Sequence, residues 1–214
     1  MKKAGRLRPF VPLVLALTLF PFLFHFRRLG PLDFWWAMGL AVAVLCASAF
    51  AADGAYAALL LDDVRTRPLQ KIVLGVVSAA ALYGIFFLGN GLARRFLPFA
   101  GEGIKAVYGL KFGASQLRVG LLLALLIGPG EEVFWRGYLQ RIWQRRIGCA
   151  SALPFAVAVY AAVHVASGNP MLVLAAAVCG LYWGILYQRS DSVLLVAVSH
   201  ILWDLAVFLV LPFK

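Results

Sequence analysis

Three pairs of polar residues, each four positions apart, stand in otherwise apolar surroundings. They are Glu132 and Arg136 in GPGEEVFWRGYLQ, Tyr160 and His164 in PFAVAVYAAVHVASGN, and His200 and Asp204 in VSHILWDL. A spacing of four puts both members on one face of a helix. Glu131 is turned about 100° away from Glu132, so one carboxylate has an arginine partner in its own helix and the other has none. Gly128-Pro129-Gly130, just ahead, predicts a break or kink. A fresh helix N-terminus there would favour the nearby negative charge.

A carboxylate with no partner and two helical histidines, one followed by an acid, are groups that can activate water. Glu131 can take a proton as general base and return it as acid. A histidine can hold the water or stabilise a developing oxyanion. The same three residues, Glu131, His164 and His200, also form a His₂Glu set able to bind zinc with one position open. The sequence leaves both readings standing. Each segment alone has a plainer meaning: acids paired with headgroup-level arginines, a helix-end histidine bonded to a carbonyl, or a His–Asp hydrogen bond between helices.

The elements that must carry these residues follow from composition. The 214 residues are 63% hydrophobic and 14% charged, with mean hydropathy +0.89. A soluble domain has about 25% charged residues, and so few charges cannot cover so much apolar surface in water. In lipid, a span needs about 20 apolar residues. The expectation is an all-α, polytopic transmembrane helix bundle. The runs suggest seven spans: 10–26, 34–61, 71–88, 117–143, 152–165, 171–187 and 192–211. Residues 91–116 hold Arg94, Arg95, Glu102, Lys105 and Lys111 with five glycines and a proline. They read as a loop with an interfacial helix, or as an eighth, short span. Residues 1–116 form an N-terminal unit of spans and interfacial loop, and 117–214 a catalytic bundle.

The net charge of +11 does not mark a nucleic-acid partner, because the basic residues lie between apolar runs, where they set topology. Lys2, Lys3, Arg6 and Arg8 favour a cytoplasmic N-terminus, whereas the basic 91–116 segment then falls outside, against the rule. The first apolar run resembles a signal peptide, but no small-x-small site follows and Arg27 and Arg28 close it, so it reads as an uncleaved helix. Cys46, Cys149 and Cys179 match no metal or redox spacing and read as small packing residues. Asp53 is the main ionisable residue expected inside the first three spans.

The three polar segments, in order, resemble the CAAX-protease and bacteriocin-processing family of intramembrane endopeptidases, of the type II CAAX prenyl endopeptidase kind. That family carries EExxxR, FxxxH and HxxxN or HxxxD on three helices. The matches are Glu131-Glu132 with Arg136, Tyr160 with His164, and His200 with Asp204, covering the chain from Leu117 onward. The resemblance implies hydrolysis of a peptide bond in a membrane-associated protein or peptide, with no cofactor required. It gives Glu131 the water-activating role and His164 that of orienting the water. His200 and Asp204 would form the oxyanion side, and Glu132 and Arg136 a supporting pair. Tyr160 stands where phenylalanine is usual, and its hydroxyl could donate a bond into the site. Asp204 stands where the prenyl-protein proteases have asparagine, and an aspartate donates only when protonated. This points away from prenylated substrates and toward bacterial peptides, membrane-anchored proteins or sorting-signal tails. A bacterial inner membrane is the expected location. Competing readings are a non-proteolytic scaffold of the same fold, a haem protein with His164 and His200 as axial ligands, and a proton-coupled transporter, against which the lack of an internal repeat argues.

Overall fold

The computed structural model describes residues 10–213, so Lys2, Lys3, Arg6 and Arg8 lie outside the described residues. The chain is helical almost throughout. In order come α1 (Phe10–Phe26), a two-rung antiparallel hairpin of β1 (Arg28–Leu29) and β2 (Leu32–Asp33), α2 (Phe34–Ala52), α3 (Tyr56–Arg65), α4 (Pro68–Phe96) and α5 (Ala100–Gly109). A long rod, α6, occupies residues 116–147 and is followed by α7 (Cys149–His164), α8 (Pro170–Ser190) and α9 (Val193–Val210). Among the described residues, five helices are long and apolar enough to cross a membrane: α2, α4, α7 with its final 3₁₀ turn, α8 and α9. α1 is apolar but has 17 residues.

Several expected boundaries move. The second apolar run ends at Ala52 instead of continuing to Leu61. Asp53 caps α2, its backbone N–H bonding the Ala49 carbonyl, and the chain turns into α3. Asp53 is therefore at a helix end, paired with Arg141 at 2.6 Å, and not inside a span. The third run extends at both ends, beginning with Pro68 in the first turn, where its missing N–H costs nothing, and running on to Phe96 through Gly89 and Gly91. Only the second part of the 91–116 segment is separate, as the short α5 and a loop.

The largest correction is in α6. Gly128-Pro129-Gly130 neither breaks the rod nor starts a new helix: Ile127, Gly128 and Val133 all keep right-handed helical angles. The turns widen instead, with π-helical stretches at Leu123–Ile127 and Val133–Gln140 on either side. A proline in a regular helix collides with the carbonyl of the previous turn, and a wider turn ahead of it relieves that collision. The glycines serve close packing. A side-chain carbon on Gly130 would lie 2.3 Å from Val42, and one on Gly128 3.1 Å from Ile201.

α4 lies along α9, and α7 along α8. The buried core draws on α1 and α2 as well as on the later helices, including Phe20, Phe24, Trp35 and Val42 beside Phe134, Trp183 and Val196. One end of the bundle is closed by Asp53–Arg141 and by Asp63, which binds Lys71 and accepts the Leu194 N–H. At the other end α5 is bonded over the bundle: Asn169 donates to the Gly103 carbonyl, Lys111 to the Phe208 carbonyl, and the Phe213 N–H to the Tyr108 hydroxyl.

Candidate active site

The centre of α6 supplies two carboxylates to two different neighbours. Glu132 is wholly buried, and its Oε1 accepts from Arg136 Nη1 at 2.9 Å and from His200 Nδ1 at 2.6 Å. The four-residue pair expected from the sequence is thus present, and α9 joins it. Glu131 points elsewhere: its Oε2 accepts from the Tyr160 hydroxyl at 2.9 Å.

Tyr160 is the junction of α7. Its hydroxyl holds Glu131, its backbone carbonyl accepts from His164 Nδ1 at 2.7 Å, and its ring lies 4.7 Å beneath the Arg136 guanidinium. A carbonyl only accepts, so the neutral His164 ring carries its hydrogen on Nδ1 and presents a bare lone pair at Nε2. Phe24 of α1 packs on the same imidazole, 4.5 Å between ring centres.

On α9, the His200 ring is held along its length. Nδ1 faces Glu132 and Nε2 faces Asp204 Oδ2 at 3.4 Å. Glu132 Oε1 already takes an arginine N–H, so it accepts again from Nδ1. A bare Nε2 facing a bare carboxylate would be repulsive, so one proton lies between Nε2 and Oδ2. At 3.4 Å that contact is long, so an acceptor entering the cavity could share the hydrogen.

Glu131, Tyr160, His164, His200 and Asp204 all line one cavity of about 280 Å³, walled otherwise mainly by apolar and aromatic side chains from α1, α2, α4, α5, α8 and α9. Glu132 and Arg136 lie behind its wall. Sequence reasoning missed Phe24, Trp35 and Met38 in that wall. It also missed Trp183, whose indole stacks on His200 with ring centres 3.9 Å apart. No charge or spacing marks such aromatics out from ordinary core.

Among the described residues no three His, Cys, Asp or Glu side chains are grouped so as to hold a metal; His200 bonds Glu132 through Nδ1, and its Nε2 faces Asp204. Cys46 donates to the Gly130 carbonyl at 3.3 Å, Cys179 is buried, and Cys149 is exposed at the start of α7.

Residues 113–206 match the family model described as Type II CAAX prenyl endopeptidase Rce1-like. This segment is similar to that family. It contains every polar residue of the cavity named above. No curated protein and no solved structure matches the chain. The Rce1-like family is a protease family, and with five helices of spanning length the chain is an integral membrane protein. The site can do acid–base chemistry in an apolar enclosure: it has a carboxylate facing space, a lone pair on His164 and the His200–Asp204 pair beside them.

Proposed function

We propose that this protein is an intramembrane endopeptidase that hydrolyses a peptide bond of a membrane-associated protein or peptide with water activated by Glu131. The observation that carries the reading is the division of labour between adjacent carboxylates. Glu132 is wholly buried with its Oε1 held by both Arg136 and His200, while Glu131, bonded by Tyr160 through Oε2, lines the cavity.

A water bonded to Glu131 and to His164 Nε2 would have both hydrogens directed, leaving an oxygen lone pair aimed at a substrate carbonyl. Glu131 takes a proton as the water attacks and delivers it to the leaving amine. The His200–Asp204 pair donates its hydrogen to the oxygen on which charge develops. A proton carried by this pair and shared with the substrate oxygen would supply the donor that an ionised aspartate lacks. α1 and α6 complete seven crossings around this site, with a cytoplasmic N-terminus in a bacterial inner membrane. The apolar wall suits aliphatic or aromatic residues beside the scissile bond. The substrates we favour are membrane-anchored proteins, bacterial peptides and sorting-signal tails.

The test is cleavage of a membrane-anchored peptide library by purified protein in liposomes. Glu131→Gln keeps shape and loses the base, and the rate should fall by about 10²–10⁴-fold with an unchanged melting curve. Cleavage by the wild type should survive a strong chelator. Wild-type turnover in Glu131→Gln would refute the assignment. Loss with chelator and recovery with zinc would replace the glutamate-only route with a metal-dependent one.

A further inference from the structure

Nδ1 of His200 bonds Glu132 at 2.6 Å, and its Nε2 faces Asp204 at 3.4 Å. Two such contacts fix the line through the ring and leave it free to roll about that line. A roll would swing the Nε2 hydrogen relative to the cavity without breaking the bond to Glu132. Something must press on the ring's face, and the structure provides it. The Trp183 indole lies 3.9 Å from the imidazole, with 24° between the planes.

Trp183 is in turn locked by hydroxyls from three helices. Its Nε1 donates to Ser199 Oγ at 3.2 Å. Ser199 and Ser78 Oγ are 3.0 Å apart, Ser78 donates to the Tyr182 hydroxyl at 3.1 Å, and Tyr182 donates to the Ser78 carbonyl at 2.9 Å. An indole can only donate and a carbonyl can only accept, so both ends of the chain have fixed polarity. The direction of every hydrogen follows: Trp183 to Ser199, Ser199 to Ser78, Ser78 to Tyr182, Tyr182 to the α4 backbone. Ser199 and Trp183 are fully buried and Ser78 nearly so. Hydroxyls in such a place are costly unless paired, and here all three are paired. None of them is among the polar groups that line the cavity as reacting candidates.

The geometry points to Trp183 and Ser199 as positioning residues for the hydrolytic step: Ser199 holds the indole, and the indole holds the His200 ring at the tilt that aims its Nε2 side at the substrate. This rests on the endopeptidase reading for its effect on rate, but not for its effect on the ring. Misplacement of a reacting group by about 1 Å can cost 10²-fold. Accordingly, Trp183→Leu should lower kcat by about 10–100-fold and leave KM within about twofold, as expected for an interaction that counts in the transition state. Trp183→Phe keeps a flat face and should restore most of kcat. Ser199→Ala, which removes one oxygen and no bulk, should give a smaller kcat loss. In a His200→Ala background, Trp183→Leu should add nothing.

The independent readout is proton NMR of the ¹⁵N-histidine-labelled full-length protein. The His200 Nδ1 hydrogen facing Glu132 should give a sheltered downfield signal. Trp183→Leu should broaden or abolish it, Ser199→Ala should shift it, and Trp183→Phe should retain it. Losses that add in the double variant, or an unmoved signal in Trp183→Leu, would overturn the proposal. If no substrate is cleaved by any form but the signal responds as stated, the endopeptidase reading fails and the positioning of His200 stands.

Discussion

Arg136 shows why adjacent carboxylates can have different fates. Its guanidinium bonds Glu132, reaches the Cys179 carbonyl at 3.5 Å, and lies over both Tyr160 and Trp183. Removing it strands a fully buried Glu132, and breaking a buried pair costs about 3–5 kcal/mol. Arg136→Ala should therefore lower the melting temperature and membrane yield at least as much as it lowers turnover. Fluorescence-detected size exclusion with thermal ramping would show this, and normal melting would count against the pair as a structural tie. Arg136→Lys should recover only part of the loss, because an ammonium cannot both lie flat on two rings and bond a carboxylate. The i, i+4 logic made Glu132–Arg136 and the shared helix face of His200 and Asp204 legible from sequence. It could not show that His200 would also reach Glu132 across helices, nor that the Tyr160 hydroxyl would close on Glu131. Trp183, Ser199 and Ser78 were invisible for a related reason. They carry no charge, and their partners lie on other helices.

At the level of elements, the apolar runs located the end of α1 and the bounds of α8 closely, because uninterrupted apolar sequence has few other uses in lipid. The errors fell where local signals compete with packing. YAALLL continues the hydrophobic run after Asp53-Gly54, yet belongs to the short α3, whose Tyr56 reaches α6. Glycine and proline in α6 suggested a break, but the bundle uses them for contact. Gly137 is the sharpest case. A side-chain carbon there would lie 2.0 Å from the Tyr56 hydroxyl, which donates to the Val133 carbonyl at 2.5 Å, and 2.7 Å from Val193. Overpacking of this kind costs about 1–3 kcal/mol, so Gly137→Ala should melt earlier, and Tyr56→Phe in the same chain should relieve part of the loss. Gly84 on α4 has open space around it. There the change to alanine should be neutral or stabilising by about 0.5–1 kcal/mol. Equal effects at the two glycines, measured by thermal melting, would contradict this account of α6.

Across the whole molecule, α2 and α6 run parallel and are tied at both ends by aspartate–arginine pairs: Asp33 with Arg118, and Asp53 with Arg141. Slight burial works against the charge on each aspartate, but the hydrogen bonds and positive charge supplied by the arginines and nearby backbone N–H groups outweigh it. Both carboxyls are held below the ordinary value of 3.8. A lowered folded-state value contributes stability above the unfolded value, and that contribution is lost as pH falls through the lowered one. The melting temperature of the wild type should hence drop as pH falls below about 4. The Asp33→Asn, Asp53→Asn double variant should start lower at neutral pH and lose less on acidification; parallel curves would remove these pairs from the account. α4 has a consequence of its own. Between Lys71 and Arg94 it carries 22 uncharged residues, an apolar length of about 33 Å at 1.5 Å per residue. Its neighbour α9, with 18 residues, spans only about 27 Å. A hydrocarbon slab of about 30 Å is too thin for one and too thick for the other, and each ångström of mismatch costs a fraction of a kcal/mol. A stretch longer than the slab leans and a shorter one draws the bilayer thinner beside it, so the expected consequence is a tilted α4 and thinned lipid beside α9, the helix that carries His200 and Asp204.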